Sequence, residues 1–462
     1  MDGLDPEARF AAAGARREPF AVNSPPPEAP QFSDDALALA FSDRHNGQLL
    51  YVPQWASWLR WDGCRWARDE TLAVFDLARA LCREQAQIAE DQKEDGASRI
   101  ASASTVAAVE RMARSDPRHA RPAAAFDADE WLLNTPGGIV DLTTGATRPA
   151  RKSELVTKVA SVAPQGECLR FLKFLSEIVQ EDEDLIAYLQ RWAGYLLTGS
   201  TREHAFLVIV GPGGNGKTLL VNILAYLLGD YAATAPMETF MASAGDRHPT
   251  DLAGLRGARL VIAQETEAGR ALAEAKIKTL TGGDPVSARF MRGDFFTYRP
   301  NFKLVMVGNH RPVIRNPDDA LRRRLHLLPL TFKPAQPDAK LFDILKAEGP
   351  GILRWAIEGC LAWQQAGLGM PMAVKAATDG YFEDQDLLAQ WLSERCEVKN
   401  GNETSSSALF RDWSTWCDQR GEAAGTGKRF SSALERHFAK KRSNAGMIFA
   451  GVRLLPSSTG AF

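Results

Sequence analysis

FLVIVGPGGNGKTLLVNILAYLL, residues 206–228, decides the fold of this chain. The apolar run Phe206–Val210 predicts a buried parallel strand, and Leu219–Leu228 carries apolar residues at helical spacing until Gly229 stops it. Between them lies a tight loop, Gly211, Pro212, Gly213, Gly214, Asn215, Gly216, Lys217 and Thr218. Its glycines let successive backbone N–H groups point at phosphate oxygens, and the helix that follows adds the positive end of its dipole. In such a loop Lys217 would reach the β- and γ-phosphates and the Thr218 hydroxyl would ligate Mg²⁺, so ATP and Mg²⁺ are the expected ligands. A second glycine–lysine run, Gly425-Thr-Gly-Lys428, lacks the pattern because Arg429 offers no hydroxyl.

A phosphate loop alone fits kinases, GTPases, transporters and motors, so the residues downstream have to choose. Arg259–Ala263 reads as a second buried strand and runs into Gln264-Glu265-Thr266-Glu267. An acid at the end of such a strand lies beside the loop, where it can hold Mg²⁺ or polarise a water; Glu265 is the first candidate and Glu267 the second. A third strand, Lys303–Gly308, ends at Asn309, which either orients the attacking water or simply makes a turn. The short helix around Asp318–Leu325 carries Arg323 and Arg324, candidates for an arginine that reaches a neighbouring subunit's site; the alternative is a solvated basic turn.

Between the second and third strands, Lys276–Leu280 reads as helix, Thr281–Pro285 as turn, and Val286–Phe290 with Phe295–Lys303 as a hairpin. Arg289 and Arg292 near its tip, flanked by Phe290 and Phe295, offer phosphate contacts and apolar faces for bases. Lys278, Arg289 and Arg292 are therefore DNA-binding candidates, although exposed arginines on hairpins are common.

The bulk numbers neither demand nor exclude this. Lys plus Arg total 55 against 57 acidic residues, so any nucleic-acid surface has to come from local clustering. The chain is 45% hydrophobic without an apolar run long enough to span a membrane, so no membrane partner is expected. The N-terminus lacks the pattern of a secretory signal. The six cysteines form no C-x-x-C pair, which argues against a zinc site and fits a reducing, cytoplasmic setting.

Along the chain, residues 1–33 read as a disordered leader rich in Ala, Arg, Glu and Pro. Residues 34–165 form an expected α+β domain, with short strands around Trp55, Trp58, Trp61 and Trp66, helices over Thr71–Ala89 and Ser102–Arg114, and a strand–turn–strand over Trp131–Arg148. A helical lead-in and the P-loop unit occupy 166–335, a helical lid or linker 336–380, and a compact domain 381–462. In that last domain Asp386–Cys396, Ser405–Gln419 and Arg429–Arg442 read as helices, and Met447–Leu455 as a ribbon turning at Gly451. Three helices and a ribbon fit a winged helix, with Arg429, Arg436, Lys440 and Lys441 on the third helix as DNA-binding candidates; a protein-contact domain is the alternative.

Taken together, the residues of 204–334 resemble helicase superfamily three, of the phage and plasmid primase–helicase type, including satellite-phage and poxvirus primase–helicases. The resembling residues are the loop at 211–218, Glu265-Thr-Glu267, Leu280-Thr-Gly-Gly-Asp-Pro285, Gly308-Asn-His-Arg-Pro312 and Asp318–Arg324. Upstream, Leu132–Gly145 is similar to the end of that family's pre-helicase domain. The resemblance implies an α/β P-loop NTPase fold, AAA+-like, with an α+β N-terminal domain and a C-terminal winged-helix domain. It also implies a homo-hexameric ring with ATP between subunits, acting as an ATP-dependent helicase on single-stranded and forked DNA. By position, Glu265 becomes the Walker B acid, Asn309 the sensor, Arg323 or Arg324 the finger, and the 286–298 hairpin the DNA contact. It covers the helicase part only, so a separate primase is the expected partner. The alternative is an ATP-dependent origin-binding or loading protein without processive unwinding.

Overall fold

The computed structural model describes residues 28–243, 250–264, 270–291, 293–315, 317–334, 338–385, 387–422, 424–435, 437–443 and 446–455. The leader expected at 1–33 lies outside them up to residue 27; Ser33 caps the helix Asp34–Arg44 by accepting from the Ala36 N–H. The chain forms two compact units. One joins the residues up to 126 with 152–157, and the other holds 127–151 and everything from 158 onward. The units part at 126–127, 151–152 and 157–158, all within the α+β domain expected over 34–165.

In the first unit, β1 (Leu49–Val52), β2 (Ser57–Trp61) and β3 (Trp66–Arg68) form an antiparallel sheet in chain order. The helices Asp34–Arg44, Ala73–Asp91 and Ala103–Ala113 cover one face, burying Phe41, Trp58, Leu81 and Val109. The segment 152–157 is tied to β3, since the Trp66 amide donates to the Val156 carbonyl and its indole to that of Lys152.

The second unit opens with β4 (Leu132–Thr135), β5 (Gly138–Asp141) and β6 (Ala146–Arg148), a three-stranded meander. Its centre is a parallel sheet of β7 (Phe206–Val210), β8 (Ala232–Pro236), β9 (Leu260–Gln264), β12 (Lys303–Gly308) and β13 (Leu325–Pro329), ordered β13-β7-β12-β9-β8. The short hairpin of β10 (Val286–Ala288) and β11 (Phe296–Tyr298) stands apart from it. Period-two alternation divides the central strands between two cores. Leu207, Ile209, Leu260, Ile262, Val305 and Val307 face the helices Leu169–Ile178, Glu183–Leu197, Lys217–Leu228 and Gly349–Ala366. Phe206, Val208, Val210, Val261, Ala263, Leu304 and Met306 face Phe240, Ile277, Leu280, Leu321, Tyr381 and Phe382. Burial on both faces is why β7, β9 and β12 read as near-continuous apolar runs, which the edge strand β8 does not. No described helix is long and apolar enough to cross a membrane.

The C-terminal part runs helix Leu387–Arg395, β14 (Cys396–Ser405), helix Ser406–Gln419, helix Gly427–Leu434, β15 (Ala439–Ser443) and β16 (Gly446–Leu454), with the strands ordered β14-β15 about a central β16. Two expectations fail here. The helix expected over 429–442 ends at Leu434, and Lys440, Lys441 and Arg442 lie on β15 instead. Phe430, Leu434 and Phe438 keep helical spacing, but pairing with β16 claims the residues after Phe438. Gly451 is not a turn either. It lies within β16 at φ +93°, opposite the irregularity between Val398 and Glu403, so a positive-φ glycine serves a bulge.

Candidate nucleotide site and basic surfaces

β7 leads straight into the glycine-rich loop, and the helix Lys217–Leu228 leaves it. Gly214 and Gly216 take φ of +79° and +83°, which L side chains rarely adopt. At Gly211 even a Cβ would collide with the Leu330 carbonyl and the Asn215 amide. Gly216 is pressed from outside, since a Cβ there would lie 2.9 Å from Ile178 and from Phe174. The buried Asn215 side chain donates to the Leu330 carbonyl, fixing the loop to the residue that follows β13. This bracing role of Asn215 is not legible in the motif.

Lys217 is 5% exposed and its ammonium is held by the carbonyls of Gly211 (2.7 Å) and Pro212 (2.9 Å) and by Asn215 Oδ1 (2.9 Å). Asn309 Oδ1 lies 3.3 Å from the same nitrogen. Burial holds the Lys217 pKa below its ordinary value. The helix it opens is capped by Gly216, with no side chain satisfying its first N–H groups, and Thr218 is exposed in that first turn. A buried ammonium bound only to neutral oxygens, beside an uncapped helix start, fits a polyphosphate. Thr218 would supply the hydroxyl for Mg²⁺.

Strand register gathers the other candidates. Gly308 pairs with Val210 and Val307 with Gln264, so β7, β9 and β12 end on one edge. Gln264 donates to Asn222 of the loop helix at 3.3 Å. Glu265 and Glu267 lie outside the described residues. Arg323 and Arg324 are at the opposite end of the sheet, where the Arg324 carbonyl accepts the Phe206 amide at the start of β7. Five residues of strand, about 16 Å, separate them from the loop of their own chain. Arg323 is exposed; Arg324 is half-buried and donates to the Ala320 carbonyl. Arg322 is occupied by Asp379 at 3.8 Å and the Phe382 ring.

That same far end holds two cations that sequence reasoning passed over as strand starts. Arg259, just before β9, donates to the carbonyls of Leu197 and Leu132 (2.7 Å to the latter) and lies over the Tyr231 ring. Lys303 donates to the Thr198 carbonyl, and burial pushes its pKa well below the ordinary value. Both cations close the C-terminal end of the helix Glu183–Leu197, where the helix dipole favours positive charge. A cation opening an otherwise apolar strand was the available signal.

Among the DNA candidates, Arg289 lies over the Phe295 ring at 4.8 Å; Phe290 and Phe295 are 54% and 62% exposed. Arg292 lies outside the described residues. Lys278 is ion-paired with Asp318, the residue that caps the arginine-bearing helix, which gives it a structural partner. Lys440 pairs with Glu435 at 2.6 Å and Lys441 is exposed; on a strand, neighbours point to opposite faces, so the two do not share one surface. The Arg429 side chain and Arg436 lie outside the described residues.

A glycine-loop strand at the heart of an all-parallel, helix-covered sheet is the architecture of a P-loop NTPase. Residues 38–180 match the family described as "D5 N terminal like", and residues 209–324 match a "Family of unknown function (DUF5906)". "Putative helicase L207/L206" of Acanthamoeba polyphaga mimivirus is 27% identical over 217 residues, 45% of this chain and 22% of that protein. "Putative helicase 184R" of Invertebrate iridescent virus 6 is 23% identical over 340 residues, 64% of this chain and 35% of that protein. The chain thus spans about a fifth to a third of the length of these relatives. A solved structure of the NrS-1 C-terminal region shares the fold, with a TM-score of 0.50 at 9% identity, covering 90% of this chain and 99% of that one. The D5-type match over 38–180 and the viral relatives named putative helicases support a likeness to phage primase–helicases.

Proposed function

We propose that this chain is an ATP-dependent ring helicase that moves on single-stranded DNA and opens forked duplexes during replication of a phage, plasmid or integrated element. One observation carries this: Lys217 and Asn309 meet at one end of the parallel sheet, while Arg323 and Arg324 sit at the other. A nucleotide at Lys217 cannot be reached by Arg323 or Arg324 of its own chain, so in this reading either acts on a neighbour's site. The strand order β13-β7-β12-β9-β8, with the loop strand between the last and fourth of the five, supports the AAA+-like reading.

In this reading ATP phosphates displace the loop carbonyls from Lys217, and Thr218 with Glu265 holds Mg²⁺. Glu265 or Glu267 polarises the water and Asn309 positions it. Arg323, the exposed member of its run, reaches the adjacent subunit of a homo-hexamer, and Arg324 stands behind it. The Arg289–Phe295 hairpin tip, with Arg292, holds the strand. The order helix, strand, helix, helix, strand, strand after Leu387 supports a winged helix that binds duplex DNA through Arg429, Arg436 and one face of the wing, the face of Lys441, while Lys440 pairs with Glu435. Priming falls to a separate primase, and the protein works in the cytoplasm. The test is strand displacement on a forked duplex. The wild type should unwind it with DNA-stimulated ATP hydrolysis, and Lys217→Ala should abolish unwinding. Hydrolysis and assembly on an origin without unwinding would favour a loader instead.

A further inference from the structure

The first unit contains an open cavity of about 500 Å³ that the nucleotide site does not use, lined by His45, Gln48, Arg60, Trp61, Asp76 and Lys152 among others. Its size falls in the range of small-ligand pockets. We infer that this cavity takes one nucleotide unit of a single-stranded nucleic acid, with a base against Trp61 and the flanking phosphates on Arg60 and Lys152.

The aromatic wall is fixed in place. The Trp61 amide donates to the Gln48 carbonyl at 3.3 Å, and its ring meets Trp66 edge-on at 5.6 Å. Trp66 is buried and donates from its indole to the Lys152 carbonyl at 2.9 Å, so the aromatic and one cation are braced by the same residue. Lys152 Nζ is set on the Gly47 carbonyl at 2.8 Å, and Arg60 is exposed. Neither forms an ion pair among the described residues, whereas the nearby Arg44 is taken up by Glu84 and the lining Asp76 lies 3.9 Å from Arg79. Burial lowers the His45 pKa, leaving a neutral ring that can donate or accept. Two cations without an ion pair among the described residues, around a half-buried indole, match the chemistry of a phosphate–sugar–base unit. A base stacked inside a duplex could not reach the indole face, so an unpaired strand is the favoured source.

This inference does not depend on the P-loop reading, and its test uses no ATP. The full chain is irradiated with an oligothymidylate carrying one 5-iodouracil, and the adducts are mapped by mass spectrometry. The expected result is an adduct at position 61, retained in Trp61→Phe and lost in Trp61→Ala. The exposed-residue double variant Arg60→Glu/Lys152→Glu should fall about tenfold in adduct yield with thermal melting unchanged. Adducts confined to other segments, or a double variant that crosslinks like the wild type, would overturn the inference. So would an adduct given by 5-iodo-deoxyuridine monophosphate but by no oligonucleotide, which would make the ligand a free nucleotide. An ATPase-active protein with no Trp61 adduct would refute the cavity assignment alone.

Discussion

Two buried lysines at opposite ends of one parallel sheet behave differently, and β12 connects them: Lys303 begins the strand and Asn309, beside Lys217, follows its end. Both ammonium groups are bound by neutral oxygens, and burial depresses both pKa values. Lys217 holds carbonyls of a solvent-facing loop that a stronger acceptor can replace. Lys303 holds the last turn of a helix that is itself sealed in the core, together with Arg259. Depressed pKa and burial therefore do not separate a functional lysine from a structural one; what separates them is whether the oxygens they bind could be given up. Arg323 and Arg324 sharpen the contrast, because they stand at the sealed end yet one of them faces solvent.

The largest effect should come from that exposed arginine. Arg323→Ala is expected to lower hydrolysis by about 10³–10⁵-fold, with Arg324→Ala milder. Mixing Arg323→Ala with Lys217→Ala subunits should restore part of the activity, and mixed rings without any rescue would break the proposed division between the two ends. Next, Lys217→Ala should cost about 10²–10³-fold in turnover while leaving the melting temperature in place. Arg259→Ala should do the reverse. Two buried carbonyls lose their donor, so stability falls by about 2–5 kcal/mol by denaturant titration, with turnover per folded molecule close to wild type. If Arg259→Ala instead lowered turnover without destabilising the chain, the sealed end would not be structural.

A smaller effect tests the sealed core by pH. His326, on β13, shares a 2.6 Å hydrogen bond between its Nδ1 and the Tyr188 hydroxyl, and burial pushes its pKa down to about 4. Its ring is neutral in the folded chain, while the unfolded chain takes up a proton below about pH 6.5. Stability from this group is thus fully present above about pH 6.5 and is lost as the pH falls toward 4, by up to about 3 kcal/mol. Urea titrations across that window should show the slope in the wild type and a shallower one in His326→Gln.

The loop at 211–218, the strands before it and downstream of it, and the hairpin were legible because each is a local pattern: an apolar run, a glycine-rich turn, an alternation. The C-terminal misreading has the same origin. Phe430, Leu434 and Phe438 carry helical spacing, and only the partner strand β16 shows that Lys440 and Lys441 belong to a sheet. Lys278 likewise looked free until Asp318 came beside it, 40 residues away in sequence.

By itself the sequence determined that a glycine-rich loop sits between a buried strand and a helix, because glycine geometry and hydrophobic periodicity are properties of neighbouring residues. Only the tertiary structure decided which side chains share an edge of the sheet. Register brings Asn309 to Lys217 and carries Arg323 and Arg324 away from it, since parallel strands align residues far apart in the chain. It also separated Lys303 from Lys217, because the partners of a buried charge are set by packing and not by its neighbours in sequence.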